Sequence, residues 1–298
     1  ILVIDNSASM FTSKYNSQTL GKITEEAAKA FVEGVLTPAN DISGNVRVAI
    51  VRYGEQANAR NFTDSGSWSD NWSNSLDLKN QAVYTSDKAA ANKAVEEATK
   101  PTTNEGTNTE GGFLMARKVA EASRSEAENI VVFMTDGMPT FRYTGSGSNT
   151  TNDTSGSSTS RNELNEAIDA ALGLKADIGE GGEIYTVALL NNVKSTSNQA
   201  KLAANLLSKN LKKSDRSSNT SSIMSDVNTP SRWTSVSPSY VTDYYSIHAG
   251  DDAAAMMYNI YKTIAGGINA LANGYVTDVI PENFELTEES LEFLESKG

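Results

Sequence analysis

The sequence predicts an α/β fold, a doubly wound, Rossmann-like and mostly parallel sheet flanked by helices, with inserted loops or arms. Two observations predict this class. Short apolar runs rich in β-branched residues recur along the chain. Between them lie stretches in which apolar residues return every three or four positions, as on one face of a helix. Strands that alternate with helices in this way are typical of parallel sheets with helices on both faces.

The elements follow in order along the chain. The apolar runs predict strands at 1–4, 46–51, 130–134, 184–190 and 244–248. The helical spacings predict helices near 23–35, 87–98, 113–120, 164–172, 199–207 and 252–271. The run at 130–134 is the clearest central strand, because every residue in it is apolar.

Three polar stretches interrupt the alternation, at 56–80, 140–161 and 209–242. Long loops in a compact domain are commonly functional, and the stretch 140–161 follows closely behind Asp136, so it is a candidate rim for a site. These stretches contain the tryptophans Trp68, Trp72 and Trp233. We expect each ring either to anchor a partner protein or to support its own loop.

We predict a single α/β domain over residues 1–272 and an exit segment over 273–298. Pro281 argues against a further central strand in that segment, which we expect to begin a neighbouring β-rich module. Because the chain begins inside its first predicted strand, we also expect it to be a piece of a longer protein.

Composition narrows the class of partner. The net charge of -12 would repel the phosphates of nucleic acid, and we expect no direct insertion into a membrane, since no run approaches the roughly 20 apolar residues that a span needs. The chain has no cysteine, so thiol catalysis and zinc-thiolate sites are excluded. Neutral or cationic protein surfaces remain the favoured partners.

Oxygen-bearing side chains follow two of the predicted strands. Asp5, Ser7 and Ser9 alternate directly after the first strand, Asp136 follows the strand at 130–134, and the loop 105–112 offers further hydroxyls. Ligands of open α/β sheets lie beyond the carboxyl ends of the strands, where these oxygens would converge. Carboxylates and hydroxyls without nitrogen or sulfur favour Mg²⁺, with Mn²⁺ and Ca²⁺ as alternatives.

This combination resembles the von Willebrand factor type A domain with its metal-ion-dependent adhesion site, whose pattern is Asp-x-Ser-x-Ser, a distant Thr and a distant Asp. The resemblance covers roughly residues 1–272 and implies that the metal-binding residues are Asp5, Ser7, Ser9, Thr107 and Asp136. It further implies that Ser7, Ser9 and Thr107 bind the metal most directly, and that the two carboxylates act directly or through water. Thr109 replaces Thr107 if the alignment is off by two residues.

Within that family, the insertions, the absent cysteines and the exit segment look like the adhesive tip subunits of Gram-positive pili and related wall-anchored surface proteins. That likeness implies an extracellular adhesion module, without enzymatic activity, on the bacterial cell surface, in the cell wall or a pilus. An acidic residue of a host or extracellular-matrix protein would complete the coordination of the cation. A pilus backbone subunit is a second class of partner.

Two other classes of function remain open. A metal-dependent hydrolase would use Ser7 or Ser9 as nucleophile, with His248, the single histidine, as base. A non-adhesive scaffold for protein assembly, intracellular or within a pilus, would use the same fold as a platform. The first strand is not followed by a glycine-rich turn, which excludes a dinucleotide site.

Overall fold

A computed structural model describes residues 1–38, 40, 46–63, 66–102, 106–145, 147, 149–152, 156, 158–209, 211–213 and 223–273. The strands are β1 (Leu2–Asp5), β2 (Lys14–Tyr15), β3 (Gln18–Thr19), β4 (Ile50–Tyr53), β5 (Ala57–Asn61), β6 (Ser67–Trp68), β7 (Ile130–Thr135), β8 (Arg142–Tyr143), β9 (Thr150–Thr151), β10 (Glu183–Leu190), β11 (Leu211–Lys213), β12 (Trp233–Ser235) and β13 (Asp243–His248). The helices are α1 (Ser9–Thr12), α2 (Leu20–Val35), α3 (Lys88–Ala98), α4 (Thr109–Glu121), α5 (Arg161–Ile178), α6 (Asn198–Leu207) and α7 (Ala253–Asn273). The exit segment beyond Asn273 lies outside the described residues.

Seven of the described strands form one sheet in the order β13-β10-β7-β1-β4-β5-β6. The first five of these run parallel, and β5 and β6 add an antiparallel edge. Strand β1 lies at the centre, with Val3 opposite Phe133 of β7 and Val51 of β4. The carboxyl ends of β1 and β7 therefore meet at one edge of the sheet.

Helices cover both faces of this sheet. Side chains of β1 alternate between the two layers, since Leu2 and Ile4 join the core under α2, α3 and α7, whereas Val3 joins the core under α4, α5 and α6. All three residues are completely buried. The predicted doubly wound, mostly parallel fold is confirmed.

Local signals define several helix starts. The Asp87 carboxylate accepts hydrogen bonds from two backbone amides in the first turn of α3. Ser160 and Glu163 form a reciprocal capping box at the start of α5. One boundary differs from the prediction, because the strand expected at 46–51 begins only at Ile50. Val48 instead forms an isolated antiparallel bridge with Thr85.

The polar stretches carry their own structure. Residues 56–80, predicted as an insertion, supply the edge strands β5 and β6 of the main sheet. The stretch 140–161 contains the β8–β9 hairpin, and the stretch 209–242 contains the β11–β12 pair. Each tryptophan contacts its own domain: Trp68 lies under the Arg52 guanidinium, Trp72 packs on Tyr143, and Trp233 donates to the carbonyl of Asp226. These contacts favour a supporting role for the three rings.

Within the described part of the chain, no helix combines the length and the apolar character that crossing a membrane would require.

Candidate metal centre

Asp5 lies at the carboxyl end of β1 and is completely buried. Its Oδ1 accepts a hydrogen bond from the backbone amide of Ser7 (2.9 Å). Its Oδ2 accepts from the Thr135 hydroxyl (2.9 Å) and from the backbone amide of Asp136 (3.4 Å). The carboxylate is therefore held in one orientation by donors from both strand ends.

Ser7, Ser9 and Asp136 form a continuous chain of hydrogen bonds. The hydroxyl oxygens of Ser7 and Ser9 are 3.0 Å apart, and the Ser9 hydroxyl donates to Asp136 Oδ1 (2.8 Å). Ser7 and Asp136 are buried, and Ser9 is half-buried. Two sequence segments separated by more than 120 residues thus meet at one edge of the sheet, as the parallel strand ends predict.

Thr107 lies beside this chain, in the loop before α4. A methyl group placed on Gly137 would be 3.9 Å from the Thr107 hydroxyl oxygen, so this hydroxyl faces the turn that carries Asp136. Thr109, the alternative residue, is the first residue of α4, and its hydroxyl is buried without a hydrogen-bond partner among the described residues. The contact with the Asp136 turn is seen for Thr107, which stays the predicted ligand, with Thr109 as the alternative.

The site concentrates negative charge away from solvent. Burial raises the pKa of Asp5, against the opposing effect of its hydrogen bonds from Ser7 and Thr135. Burial, and then the charge of Asp5, raise the pKa of Asp136 well above its usual value. Neither carboxylate has an ion pair with lysine or arginine among the residues that the structure describes. A bound cation would offset the free-energy cost of burying the two carboxylates.

The donor set fits a hard divalent cation. Three hydroxyls and two carboxylates are ligands that Mg²⁺, Mn²⁺ or Ca²⁺ accept, and the two carboxylates balance a charge of +2. The described residues contain no group of three or more His, Asp or Glu side chains placed to hold a metal ion. Any cation here therefore depends on the hydroxyls as well as the carboxylates.

Three residues that sequence reasoning missed support the site. Thr135 donates to Asp5, the hydroxyl of Tyr53 lies 3.5 Å from Asp5 Oδ2, and Asn6 ties the first loop to the end of α3. The Asn6 amide donates to the carbonyl oxygens of Ala98 (2.6 Å) and Lys100 (2.8 Å). Only Thr135 carried a signal in the sequence, as a hydroxyl directly before Asp136.

Glu110, in the first turn of α4, was also missed. It is largely buried, and its Oε2 accepts a hydrogen bond from the backbone amide of Tyr143 (2.7 Å). Burial raises the pKa of Glu110 to about 7. This carboxyl group joins α4 to strand β8 of the 140–161 stretch.

The catalytic arrangement considered for a hydrolase is not formed among the described residues. The Ser7 hydroxyl pairs with Ser9, whereas His248 Nε2 lies 3.0 Å from the hydroxyl of Ser246, its neighbour two residues away on β13. A serine nucleophile requires its base within hydrogen-bond reach.

Residues 1–138 match the family model of the von Willebrand factor type A domain, and this range includes all five predicted metal-binding positions. Curated protein sequences give no match.

Solved structures similar to the chain include three bacterial proteins. The pilus adhesin SpaC of Lactobacillus rhamnosus GG, in its open conformation, is 15% identical, with a TM-score of 0.52 over 90% of this chain and 30% of SpaC. The von Willebrand factor domain of the type V pili tip protein Mfa5 of Porphyromonas gingivalis is 19% identical, with a TM-score of 0.49 over 93% of this chain and 97% of that one. A von Willebrand factor type A protein of Catenulispora acidiphila is 16% identical, with a TM-score of 0.47 over 90% of this chain and 41% of that one.

The chain thus spans less than a third of the length of the SpaC structure that it resembles, and the likeness to SpaC is one of fold. The parallel sheet with helices on both faces and the match over residues 1–138 agree with each other. Over residues 1–138 the chain matches the von Willebrand factor type A domain, and the fold of the described residues is consistent with that match.

Proposed function

We propose that this domain is a metal-dependent adhesion module. A divalent cation, Mg²⁺ in the first instance and Mn²⁺ or Ca²⁺ as alternatives, would be held by Ser7, Ser9 and Thr107 together with Asp5 and Asp136. Because three of these five ligands are neutral hydroxyls and the carboxylates act directly or through water, the ion can keep a coordination position for an outside ligand. An acidic side chain of a partner protein would then complete the coordination.

The observation that carries this proposal is the shared hydrogen-bonded chain of Ser7, Ser9 and Asp136 beside the buried Asp5. Two buried carboxylates with raised pKa values are costly for the metal-free protein. A bound cation would offset this free-energy cost by neutralising the two carboxylates, so a metal-binding function accounts for their burial. The chemistry suggested is binding, since no step needs a nucleophile or a general base.

The proposed place of action is outside the cell, on a bacterial surface or a pilus. SpaC, whose fold the chain shares, is described as a pilus adhesin, and this supports an adhesive role for the present chain. We propose a host or extracellular-matrix protein as the partner, and a pilus backbone subunit as the second class. The residues of the 140–161 stretch that lie near the site would contribute to selectivity.

Adhesion assays test this function. Wells coated with collagen, fibronectin, laminin or fibrinogen, and fixed epithelial cells, are incubated with the protein in Mg²⁺ or in EDTA. We expect binding to at least one surface in Mg²⁺, a loss of at least tenfold in EDTA, and the same loss for Thr107→Ala. Thr12→Ala, an exposed hydroxyl of α1, is the matched control and should bind as the wild type does.

Equal binding in Mg²⁺ and EDTA would contradict the proposed mechanism. Metal binding without adhesion to any surface would favour the scaffold alternative, in which the same fold organises an assembly.

A further inference from the structure

Two residues that follow Asp136 hold the backbone of Thr107 on both sides. The Thr140 hydroxyl accepts a hydrogen bond from the Thr107 amide (3.0 Å). The carbonyl of Thr107 in turn accepts from the backbone amides of Thr140 (2.8 Å) and Phe141 (3.1 Å). The peptide groups on either side of the Thr107 side chain are therefore fixed by one short segment.

This segment also fixes the spacing between two proposed ligands. Thr140 lies only four residues after Asp136 along the chain, so its bonds to Thr107 close the turn that carries Asp136 onto the loop that carries Thr107. The Phe141 ring covers Gly106, where an added methyl group would lie 2.0 Å from a ring carbon. Glycine at position 106 is what allows this close contact.

The residues that continue from Phe141 are anchored in the domain. Tyr143 donates its amide to Glu110 of α4, its ring packs against Trp72 at 4.5 Å between centroids, and its hydroxyl accepts from the amide of Ala57 (3.2 Å). Thr150, on the paired strand β9, donates to Glu55 Oε1 (2.8 Å). We call residues 140–143 the arm base.

We propose that the arm base is a positioning element for Thr107, so that cation binding and the conformation of the arm base are thermodynamically linked. This inference rests on the proposed function, because it assumes a cation at Thr107. The direction of the Thr107 hydroxyl follows from its backbone, and a metal site responds to small displacements of a ligand. By reciprocity, a cation that fixes Thr107 stabilises the arm base to the same extent.

Three variants of the full chain test whether the arm base controls the affinity for the cation. Thr140→Val keeps the shape of the side chain but removes the acceptor for the Thr107 amide, and Phe141→Ala removes the ring over Gly106. Outer partners of metal ligands are typically worth about 10–100-fold in affinity, and we expect both variants to raise the Kd for Mn²⁺ and Mg²⁺ about tenfold in calorimetric titrations. Thr140→Ser retains the hydroxyl and should restore wild-type affinity.

Thr144→Val is the matched control. Its hydroxyl donates to the carbonyl of Asn149 within the exposed part of the hairpin, away from Thr107, and its Kd should stay within twofold of the wild type. Thermal unfolding in EDTA shows whether a variant is folded. A Phe141→Ala protein that fails to fold leaves Thr140→Val and Thr140→Ser to decide.

Hydrogen exchange tests whether a bound cation in turn stabilises the arm base. Amides at 140–145 should exchange more slowly in Mn²⁺ than in EDTA for the wild type, and this difference should shrink in Thr140→Val, while amides at 224–235 serve as an internal control.

These measurements distinguish a failure of the proposed function from a failure of the linkage alone. A wild type that binds neither ion overturns the proposed function and this inference together. A wild type that binds Mn²⁺ while Thr140→Val has unchanged affinity and unchanged exchange overturns the linkage alone.

Discussion

Asp136→Asn is expected to abolish cation binding and, at the same time, to stabilise the metal-free protein. The substitution removes one of the two charges that balance the ion, so we expect the Kd for Mg²⁺ to rise at least 100-fold. It also removes a buried carboxylate whose pKa is raised by burial and by the charge of Asp5. The asparagine Oδ1 can still accept from the Ser9 hydroxyl, which keeps the local geometry.

The measurement is thermal unfolding with and without Mg²⁺, combined with calorimetric titration. In EDTA at pH 7 the variant should be more stable than the wild type, because it no longer buries a carboxylate whose charged form is disfavoured by burial and by the charge of Asp5. In excess Mg²⁺ the order should reverse, because only the wild type gains binding free energy. Asp70→Asn, on an exposed residue, should change neither quantity. A variant that binds Mg²⁺ as the wild type does would exclude Asp136 from the site.

Glu110→Gln is expected to stabilise the protein at pH 8 and to have little effect at pH 4. The folded pKa of Glu110, about 7, lies above the ordinary value of 4.5. Folding therefore favours the protonated form, and its contribution to stability is fully present below pH 4.5 and is lost as the pH rises through 7. At pH 8 the wild type carries a penalty of up to about 3 kcal/mol that the neutral amide avoids.

Chemical unfolding in EDTA between pH 4 and pH 8 measures this effect. The free energy of unfolding of the wild type should fall between pH 4.5 and 7, and the difference between wild type and Glu110→Gln should follow the same window. Glutamine keeps an oxygen for the Tyr143 amide, so the hydrogen bond to the arm base remains available. Equal slopes for the two proteins across this range would show that Glu110 titrates normally.

The sequence predicted the central architecture because its signals there are local. Strand β7 is apolar at nearly every position, and the alternation of Leu2, Val3 and Ile4 between the two cores follows from strand geometry. The meeting of Asp5 with Asp136 follows from the parallel arrangement of β1 and β7. The family model confirms the likeness to the von Willebrand factor type A domain over residues 1–138.

Other features depend on contacts between distant residues and gave no local signal. Strand β5, with the sequence Ala-Asn-Ala-Arg-Asn, lies near the edge of the sheet, where polar residues are tolerated, and so it reads as a loop. The approach of Tyr53 to Asp5 depends on the register of β4 against β1, which sequence pattern alone does not give. The bonds from Thr140 to Thr107 join segments 33 residues apart.

The central claim is that the five oxygen-bearing side chains share one cation, and anomalous diffraction from crystals grown in Mn²⁺ tests it most directly. We expect a single strong Mn²⁺ peak at the carboxyl ends of β1 and β7, within about 2.0–2.4 Å of hydroxyl oxygens of Ser7, Ser9 and Thr107, with Asp5 and Asp136 bound directly or through water. A map with no peak at this edge of the sheet, or with a peak that Thr107 and Asp136 do not share, would contradict the account.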